Sequence, residues 1–212
     1  MDVSHPIRGI IPTLDAPVLE ALAATTRRLS GREVHRLAGA GSVRGVQLVL
    51  ARLVAQGLVS AEEHAGATLY AANRAHLAWP ALEALVNLRR HLLERIRETV
   101  AGWAIAPLHV SLFGSAARRD GDSRSDIDLL VVRSDAVTEG GEAWEAQLDA
   151  LRDAVAAWTG NRCQAFAIDR ARLAAHVAAG DPLVESWLHD GVLLTGEPLR
   201  ALLDGLSVAQ RP

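Results

Sequence analysis

Apolar positions in the first part of the chain repeat at intervals of three and four residues, the spacing of one face of a helix. The first such stretch begins near Leu14, where Asp15 provides an N-cap. Ser30 and Glu33 then stand three residues apart, the spacing of a capping box, in which each side chain satisfies a backbone amide of the other residue. The pattern predicts two short helices before a glycine-rich turn at residues 39–41.

A third amphipathic helix and a hairpin follow this turn. Apolar side chains keep helical spacing from Ser42 until Gly57 ends the helix. Two short alternating segments, residues 58–61 and 67–71, are separated by a polar turn and predict a β-hairpin. Three helices, the last one after a tight turn, followed by a hairpin are the order of a winged helix-turn-helix, so we assign residues 1–78 to such a domain.

The apolar stripe lengthens after residue 78 and then gives way to alternating strands and helices. We expect one linker helix over residues 79–103, because Gly102 and Pro107 interrupt the chain near its end. Three strands and one intervening helix are predicted after it, at residues 108–113, 127–132, 143–158 and 162–168. Alternation of this kind predicts a small mixed α/β domain over residues 104–212, and the whole chain is therefore expected to be an α+β protein.

Composition narrows the class of protein. The chain has 212 residues, half of them hydrophobic, and its single cysteine, Cys163, excludes an internal disulfide. Without a long apolar run or a basic-then-apolar leader, we expect a cytoplasmic protein that does not enter a membrane. All 22 basic residues are arginine, and residues 1–80 carry eight of them against six acidic residues. A nucleic-acid surface is therefore expected in this first part.

The candidate chemistry lies in residues 112–132. An apolar strand ends at Gly114 and Ser115, where the missing side chain lets backbone amides approach an anion and the hydroxyl adds a donor. Asp126 and Asp128 stand two apart at the head of the next apolar strand, so both project to the same face. Two neighbouring carboxylates repel each other unless a cation lies between them, and oxygen ligands suit Mg²⁺ or Mn²⁺. Either motif alone would indicate a bend or a solvated strand end, but together they indicate phosphoryl or nucleotidyl transfer.

This stretch resembles the DNA polymerase beta-like nucleotidyltransferase superfamily, in particular its minimal, bacterial-type members. Their pattern is Gly-Ser, a small residue, Ala-Arg-Gly, a short spacer, then Ser-Asp-Ile-Asp-Leu. Residues 114–119 are Gly-Ser-Ala-Ala-Arg-Arg, and residues 125–129 are Ser-Asp-Ile-Asp-Leu. Arg119 replaces the usual glycine and adds positive charge where phosphate would lie. The resemblance extends over roughly residues 100–195 and implies a nucleotidyltransferase fold for the C-terminal part.

The resemblance also implies roles for individual residues. Gly114 and Ser115 would bind the phosphates of a nucleoside triphosphate (NTP), and the catalytic pair Asp126 and Asp128 would hold the Mg²⁺ or Mn²⁺. Members with demonstrated transferase activity generally have a third carboxylate on the next strand, and the alignment puts Gln164 there. A neutral amide can ligate a metal weakly but cannot take a proton. Nucleotide and metal binding are therefore expected, and catalytic competence is the open question.

Other polar residues near the motif carry less weight. Arg118, Arg119 and Arg124 either bind phosphate, which we favour, or belong to a solvated loop. Asp169 is the nearest acid after the third strand, and we expect it to cap the next helix. Ser115 has no histidine near it in sequence, so we favour a phosphate donor over a nucleophile. The five tryptophans are at helical positions and are expected in the core.

The first domain offers a candidate DNA surface. Ser42 begins the third helix, and Arg44 and Gln47 on its outer side could enter a major groove of double-stranded DNA. His64 and Thr68 in the hairpin would then lie near the backbone. The alternative is that the winged helix binds a protein partner instead. A homodimer would strengthen DNA binding, because two half-sites multiply the affinity.

Three functional hypotheses remain. In the first, the protein transfers a nucleoside monophosphate from an NTP to a hydroxyl of a protein, an RNA or a small molecule. In the second, the chain is a transcriptional regulator whose nucleotide-binding domain is catalytically degenerate. In the third, it is an antitoxin that modifies or masks a toxin. We rank the enzyme slightly ahead, because the Gly-Ser and Asp-x-Asp elements are both complete.

Overall fold

Two separate sheets organise the chain, and each lies in its own unit. The computed structural model describes residues 1–209, with side chains through residue 205. Contacts divide the chain into an N-terminal unit, His5–Arg89, and a C-terminal unit, which comprises Met1–Ser4 and the chain from Arg90 onward. The predicted mixed α and β composition is confirmed.

The N-terminal unit is mainly helical, with a small antiparallel sheet whose strand order is β1-β3-β2. In chain order its elements are α1 (Pro6–Ile10), α2 (Asp15–Ala23), β1 (Leu29–Ser30), α3 (Gly31–Ala38), α4 (Val43–Ala55), β2 (Val59–His64), β3 (Ala67–Ala72) and α5 (Trp79–Val86). Leu22, Leu29 and Leu50 are fully buried in a core that the helices and the sheet share. The unit therefore has the predicted order of helices and hairpin, together with α1 and β1, which the sequence did not predict.

Local capping explains where the helices of this unit begin. The Ser30 hydroxyl accepts a hydrogen bond from the Glu33 amide, and the Glu33 carboxylate accepts one from the Ser30 amide, which confirms the capping box. The Glu33 carboxylate accepts hydrogen bonds from the Ser30 amide, the Ser30 hydroxyl and Arg27, and these bonds lower the pKa of Glu33 to about 2. The Ser42 hydroxyl caps α4 by accepting from the Gly45 amide. α3 and α4 are thereby fixed on either side of the turn at residues 39–41.

The C-terminal unit is built on a four-stranded sheet with the order β6-β5-β4-β7. Its elements are α6 (Leu88–Ala101), which begins just before the unit boundary, β4 (His109–Phe113), α7 (Gly114–Arg118), β5 (Ile127–Val132), α8 (Glu142–Thr159), β6 (Cys163–Ile168), α9 (Arg170–Ala178), α10 (Pro182–His189), β7 (Val192–Gly196) and α11 (Leu199–Ala209). β4 runs antiparallel to β5 and β7, whereas β5 and β6 are parallel.

Helices cover both faces of this sheet. One core cluster joins α6 and α8 to the face that carries Val110 and Leu129, and the other joins α9 and α10 to the face that carries Leu130 and Val132. Leu129 and Leu130 are neighbours in sequence and are both fully buried, because successive side chains of a strand point to opposite faces. A strand that is buried on both faces explains the continuous apolar run in β5.

The predicted single linker helix over residues 79–103 is wrong in detail, because two helices occupy this segment. α5 ends at Val86, and the Asn87 side chain donates a hydrogen bond to the Glu83 carbonyl oxygen. An asparagine that bonds the backbone in this way competes with helical hydrogen bonding. α6 then starts at Leu88. The helical spacing of apolar residues continues through both helices, so the spacing alone does not indicate the break between them.

Within residues 1–209, no single helix is both long and apolar enough to cross a membrane. α3 and α4 satisfy length and composition only as a pair that is bent by 110°. Both helices contribute side chains to the buried core of the N-terminal unit.

Candidate active site

The last residue of β4 and the first residues of β5 and β6 lie side by side at one end of the larger sheet. Phe113, the last residue of β4, is paired with Asp128 near the start of β5, and Asp128 is paired with Gln164 near the start of β6. Residues that are directly paired across a sheet share a face. The strand directions therefore bring a glycine bend, a carboxylate and an amide side by side, and the register places Gln164 opposite Asp128.

Asp128 lies against the bend at Gly114. Gly114 has φ +68, and a Cβ atom added to it would be 2.6 Å from Oδ2 of Asp128, which is closer than real Cβ contacts. Glycine is required here twice, for the left-handed backbone and for the space that the carboxylate fills. Burial, and then repulsion from Asp126, raise the pKa of Asp128. The two predicted carboxylates are thus close enough to interact, and one of them touches the predicted phosphate bend.

Gln164 binds the other carboxylate. Its Nε2 donates a hydrogen bond to Oδ2 of Asp126 at 2.5 Å. This contact satisfies one carboxylate oxygen without neutralising its charge, since the amide is uncharged. The amide oxygen of Gln164 is a potential metal ligand. Rotation of the amide by a half-turn would direct this oxygen toward a cation that is bound by the two carboxylates. The third strand therefore supplies an oxygen but no third negative charge.

The donor set fits one hard divalent cation. Asp126 and Asp128 provide two carboxylates that interact, and a cation between them would relieve their mutual repulsion. Mg²⁺ is commonly bound through one or two carboxylates, with substrate phosphates completing its coordination. No group of three or more His, Cys, Asp or Glu residues that could hold a metal occurs among the described residues. The residues present fit a site that needs a phosphate-bearing ligand to be complete.

Ser115 lies beside the loop that leads into β5. A Cβ atom on Gly121 would be 3.0 Å from the Ser115 hydroxyl and 3.0 Å from the Ser125 hydroxyl, so these two groups flank the same glycine. The Asp122 carboxylate accepts hydrogen bonds from the Arg124 amide and from the Ser125 hydroxyl, and these two contacts, the first one more strongly, lower the pKa of Asp122. The Ser115 side chain is half-buried next to this loop.

The three arginines of the basic turn differ in their surroundings. Arg118 donates hydrogen bonds to Asp120 and Asp190 at 2.9 and 3.2 Å, and these contacts raise its pKa. Arg118 is therefore already engaged by carboxylates. Arg119 has a left-handed backbone with φ +65, a conformation that glycine adopts without strain. The side chains of Arg119 and Arg124 are exposed and form no ion pair within the described part of the chain.

Asp169 has a structural role, and Cys163 is a buried free cysteine. The Asp169 carboxylate caps α9 by accepting from the Arg172 amide, as predicted, and it also pairs with Arg133 at 2.7 Å. Burial raises the pKa of the Cys163 thiol to about 12. Neither residue contributes a charge to the carboxylate pair.

The predicted DNA-contacting residues lie on α4 and on the hairpin formed by β2 and β3. Arg44 and Gln47 are exposed on α4, and Ser42 caps that helix. His64 is exposed at the end of β2, whereas the hydroxyl of Thr68 donates to Glu63 at 2.7 Å. The hairpin turn contains only Ala65 and Gly66, both with positive φ, so it is shorter than the sequence indicated.

An aromatic cluster beside the carboxylates was not predicted as part of the site. Phe113 and Phe166 both contact Trp187, with ring centroids 6.2 and 5.6 Å apart. Trp187 is buried, as are Trp79 and Trp144, so for these three tryptophans the expectation of a core position is confirmed. Phe166 follows Gln164 by two residues on the same strand, and this alternation was the signal that could have placed it on the same face.

The chain was compared with protein-family models, curated proteins and solved structures, and none of the three comparisons found a match.

Proposed function

We propose that the C-terminal unit is a metal-dependent nucleotidyltransferase that transfers a nucleoside monophosphate from an NTP to a hydroxyl. The observation that carries this proposal is the contact between Asp128 and the Gly114 bend, with Asp126 and Gln164 alongside. A nucleotidyltransferase fold is consistent with the mixed sheet and with the motif at the ends of β4 and β5.

The reaction replaces the phosphoanhydride bond at the α-phosphorus by a phosphoester bond. The acceptor hydroxyl oxygen forms a bond to the α-phosphorus, and the bond between that phosphorus and the bridging oxygen of the β-phosphate breaks. Pyrophosphate leaves with the electron pair of the broken bond, and the hydroxyl proton passes to solvent. Mg²⁺ or Mn²⁺ bound at the carboxylates would neutralise negative charge on the triphosphate and on the leaving pyrophosphate.

The residues of the chain bind and orient the NTP. The bend that follows β4 would bind a phosphate through backbone amides, and the Ser115 hydroxyl lies at the same bend as a donor. Arg119 and Arg124 are exposed cations of the adjoining turn and suit the terminal phosphates. Gln164 cannot accept a proton, so the acceptor hydroxyl loses its proton without a protein base from β6, and we expect slow transfer.

The test is transfer of label from α-labelled NTPs in the presence of Mg²⁺ or Mn²⁺, with release of pyrophosphate measured in parallel. We expect Asp128→Asn to abolish both signals, because it removes one carboxylate ligand and the charge that recruits the cation. Asp153→Asn is the matched control, since Asp153 is an exposed carboxylate on α8. Equal activity of the two variants would refute the proposed site.

A second function, binding of double-stranded DNA by the N-terminal unit, is favoured by its distribution of charge. Most arginines of this unit pair with acidic side chains, as Arg8 does with Glu20 and Arg27 with Glu33. Three exposed arginines on α3 and α4 form no ion pair with any described residue: Arg32, Arg36 and Arg44. The uncompensated positive charge therefore lies on the two helices that a winged helix-turn-helix presents to DNA.

The salt dependence of duplex binding tests this second function. Three phosphate contacts predict a slope of about −2.7 when the logarithm of the affinity is plotted against that of the salt concentration. Arg44→Ala should make that slope less steep, whereas Arg52→Ala should not, because Arg52 is paired with Asp15. Duplex binding that is insensitive to salt and to Arg44→Ala would exclude this surface.

A further inference from the structure

A groove runs along the outer edge of β6, next to the carboxylate pair. It has a volume of about 330 Å³ and is lined by Arg152, Arg162, Cys163, Gln164, Ala165 and Phe166. This volume is at the lower end of the range of about 300–1,000 Å³ for small-molecule sites. Gln164 belongs to the groove and also bonds Asp126, so an occupant of the groove lies beside the proposed transfer site.

The groove carries positive charge on a unit that is otherwise acidic. Arg162 is exposed, and its side chain forms no hydrogen bond or ion pair with any residue in the described part of the chain. Arg152 is held in place, since it pairs with Asp149 at 2.7 Å and donates to the Ala165 carbonyl oxygen at 3.0 Å. The Arg162 side chain is therefore available to a ligand, whereas the Arg152 side chain is held in place at the side of the groove. Two positive charges in the groove favour an anionic occupant.

Phe166 gives the groove an aromatic surface. Its side chain is 36% exposed, although it belongs to a cluster with Trp187 and His176 at centroid distances of 5.6 and 5.7 Å. His176 is itself held by Asp181 at 2.7 Å. A ring that is fixed on one side and open on the other is suited to stacking against a planar group such as a nucleobase.

An added peptide strand is a poor fit to the same edge. A strand that pairs with β6 would need the backbone groups that point away from β5, and the Ala165 carbonyl is one of them. That carbonyl already accepts a hydrogen bond from Arg152, whose guanidinium lies where an added strand would pair. The groove therefore favours an occupant that uses side-chain contacts, namely a phosphate on Arg162 and a base on Phe166.

We propose that this groove binds the acceptor of the transfer reaction and that the acceptor is the end of a single-stranded nucleic acid. The proposal rests on the proposed function of the neighbouring carboxylate site, because only that site makes the occupant an acceptor. A terminal hydroxyl of the strand would lie next to Gln164, and its first phosphate and base would contact Arg162 and Phe166.

The test is the binding of a fluorescent single-stranded RNA of about six nucleotides, measured by anisotropy. The full chain is used with Arg44→Ala in the background, so that the α4 surface contributes little. Phe166→Ala should weaken binding by about fivefold to a hundredfold, the range for loss of one base-stacking contact. Arg162→Ala should make the salt slope less steep by about 0.7 through the loss of one phosphate contact.

Matched variants make the result interpretable. Arg200→Ala removes an exposed arginine outside this groove and should leave RNA binding unchanged. Phe166→Leu keeps an apolar side chain against Trp187, so a loss of binding in a folded Phe166→Leu variant reports stacking rather than unfolding. Binding that Arg162→Ala and Phe166→Leu leave unchanged would overturn the proposal.

The proposal of a nucleic-acid groove and the proposal of a transfer site can be refuted independently of each other. Asp128→Asn should abolish binding of Mn²⁺ and leave RNA binding in EDTA intact. If the unmodified chain binds the RNA through Arg162 and Phe166 but does not bind Mn²⁺, then the transferase function is wrong and the nucleic-acid groove stands. If an acidic peptide binds at these residues and the RNA does not, then the groove takes a protein and the proposal is wrong.

Discussion

Adding one methyl group at Gly114 tests the contact on which the proposed site depends. Gly114 has φ +68, and the new Cβ atom would be 2.6 Å from Oδ2 of Asp128. Gly160 provides a matched control in the same unit, because it has φ +73 and no atom within 4 Å of its added Cβ. Both substitutions impose the left-handed backbone on alanine, but only the first displaces a carboxylate.

The expected magnitudes separate these two effects. A left-handed backbone costs an alanine about 1–2 kcal/mol, so both variants should lose roughly that much free energy of unfolding. Gly114→Ala must also move the Asp128 carboxylate out of a contact that real Cβ atoms do not make. We expect at least about a tenfold loss of Mn²⁺ affinity in this variant, which corresponds to about 1.4 kcal/mol.

Urea denaturation and calorimetric titration with Mn²⁺ measure the two quantities on the same samples. Gly114→Ala and Gly160→Ala should have similar unfolding free energies, whereas only Gly114→Ala should bind Mn²⁺ weakly. If both variants bind Mn²⁺ as tightly as the unmodified chain, then Asp128 does not hold the cation at this bend. The reasoning would then fail at its central contact.

Three further predictions concern single side chains. Gln164→Glu adds a third carboxylate beside Asp126, so Mn²⁺ affinity and transfer activity should both rise, and a loss of both would contradict the role given to β6. Arg119→Gly relieves a left-handed arginine and should raise the unfolding free energy by about 1 kcal/mol in urea, while NTP affinity falls if Arg119 binds phosphate. Burial lowers the pKa of His109, whose ring contacts the Glu197 carbonyl oxygen and the Ser111 hydroxyl. The unfolded chain therefore binds a proton first, stability should fall as the pH drops below about 6.5, and His109→Gln should flatten this dependence in thermal melts.

The strands of the larger sheet could be predicted from sequence because each is an apolar run with clear ends. The predicted segments 108–113, 127–132 and 162–168 agree with β4, β5 and β6 to within a residue. The same alternation predicts Asp126 and Asp128 on one face of the sheet. Short-range patterns of this kind are set by neighbouring residues, so they can be recognised without the rest of the fold.

Contacts between distant parts of the chain were beyond the reach of the sequence. Arg118 was expected to bind phosphate, but it is paired with Asp190, which is 72 residues away. The hydrogen bond between Gln164 and Asp126 spans 38 residues and depends on the register of two parallel strands. No local pattern encodes either contact, because each depends on how strands and helices meet.

Besides α1 and β1, the helices α7 and α11 were missed, although the sequence carried a signal for α11. α11 begins at Leu199, directly after Pro198, and a proline before an apolar repeat is a common way for a helix to start. α7 has only five residues, and its length is below that at which apolar spacing can be recognised. Short and terminal elements of this kind are fixed by packing, as the burial of Leu199 and Leu202 indicates.

The amide at position 164 has an evolutionary consequence. The codons of glutamine and glutamate differ only in their first base. One point mutation would therefore place a third carboxylate beside Asp126 and Asp128. Such a change would need no insertion or shift of register, because the side chain already touches Asp126. Selection could therefore raise or silence the chemistry of this unit at a single codon while the rest of the protein stays the same.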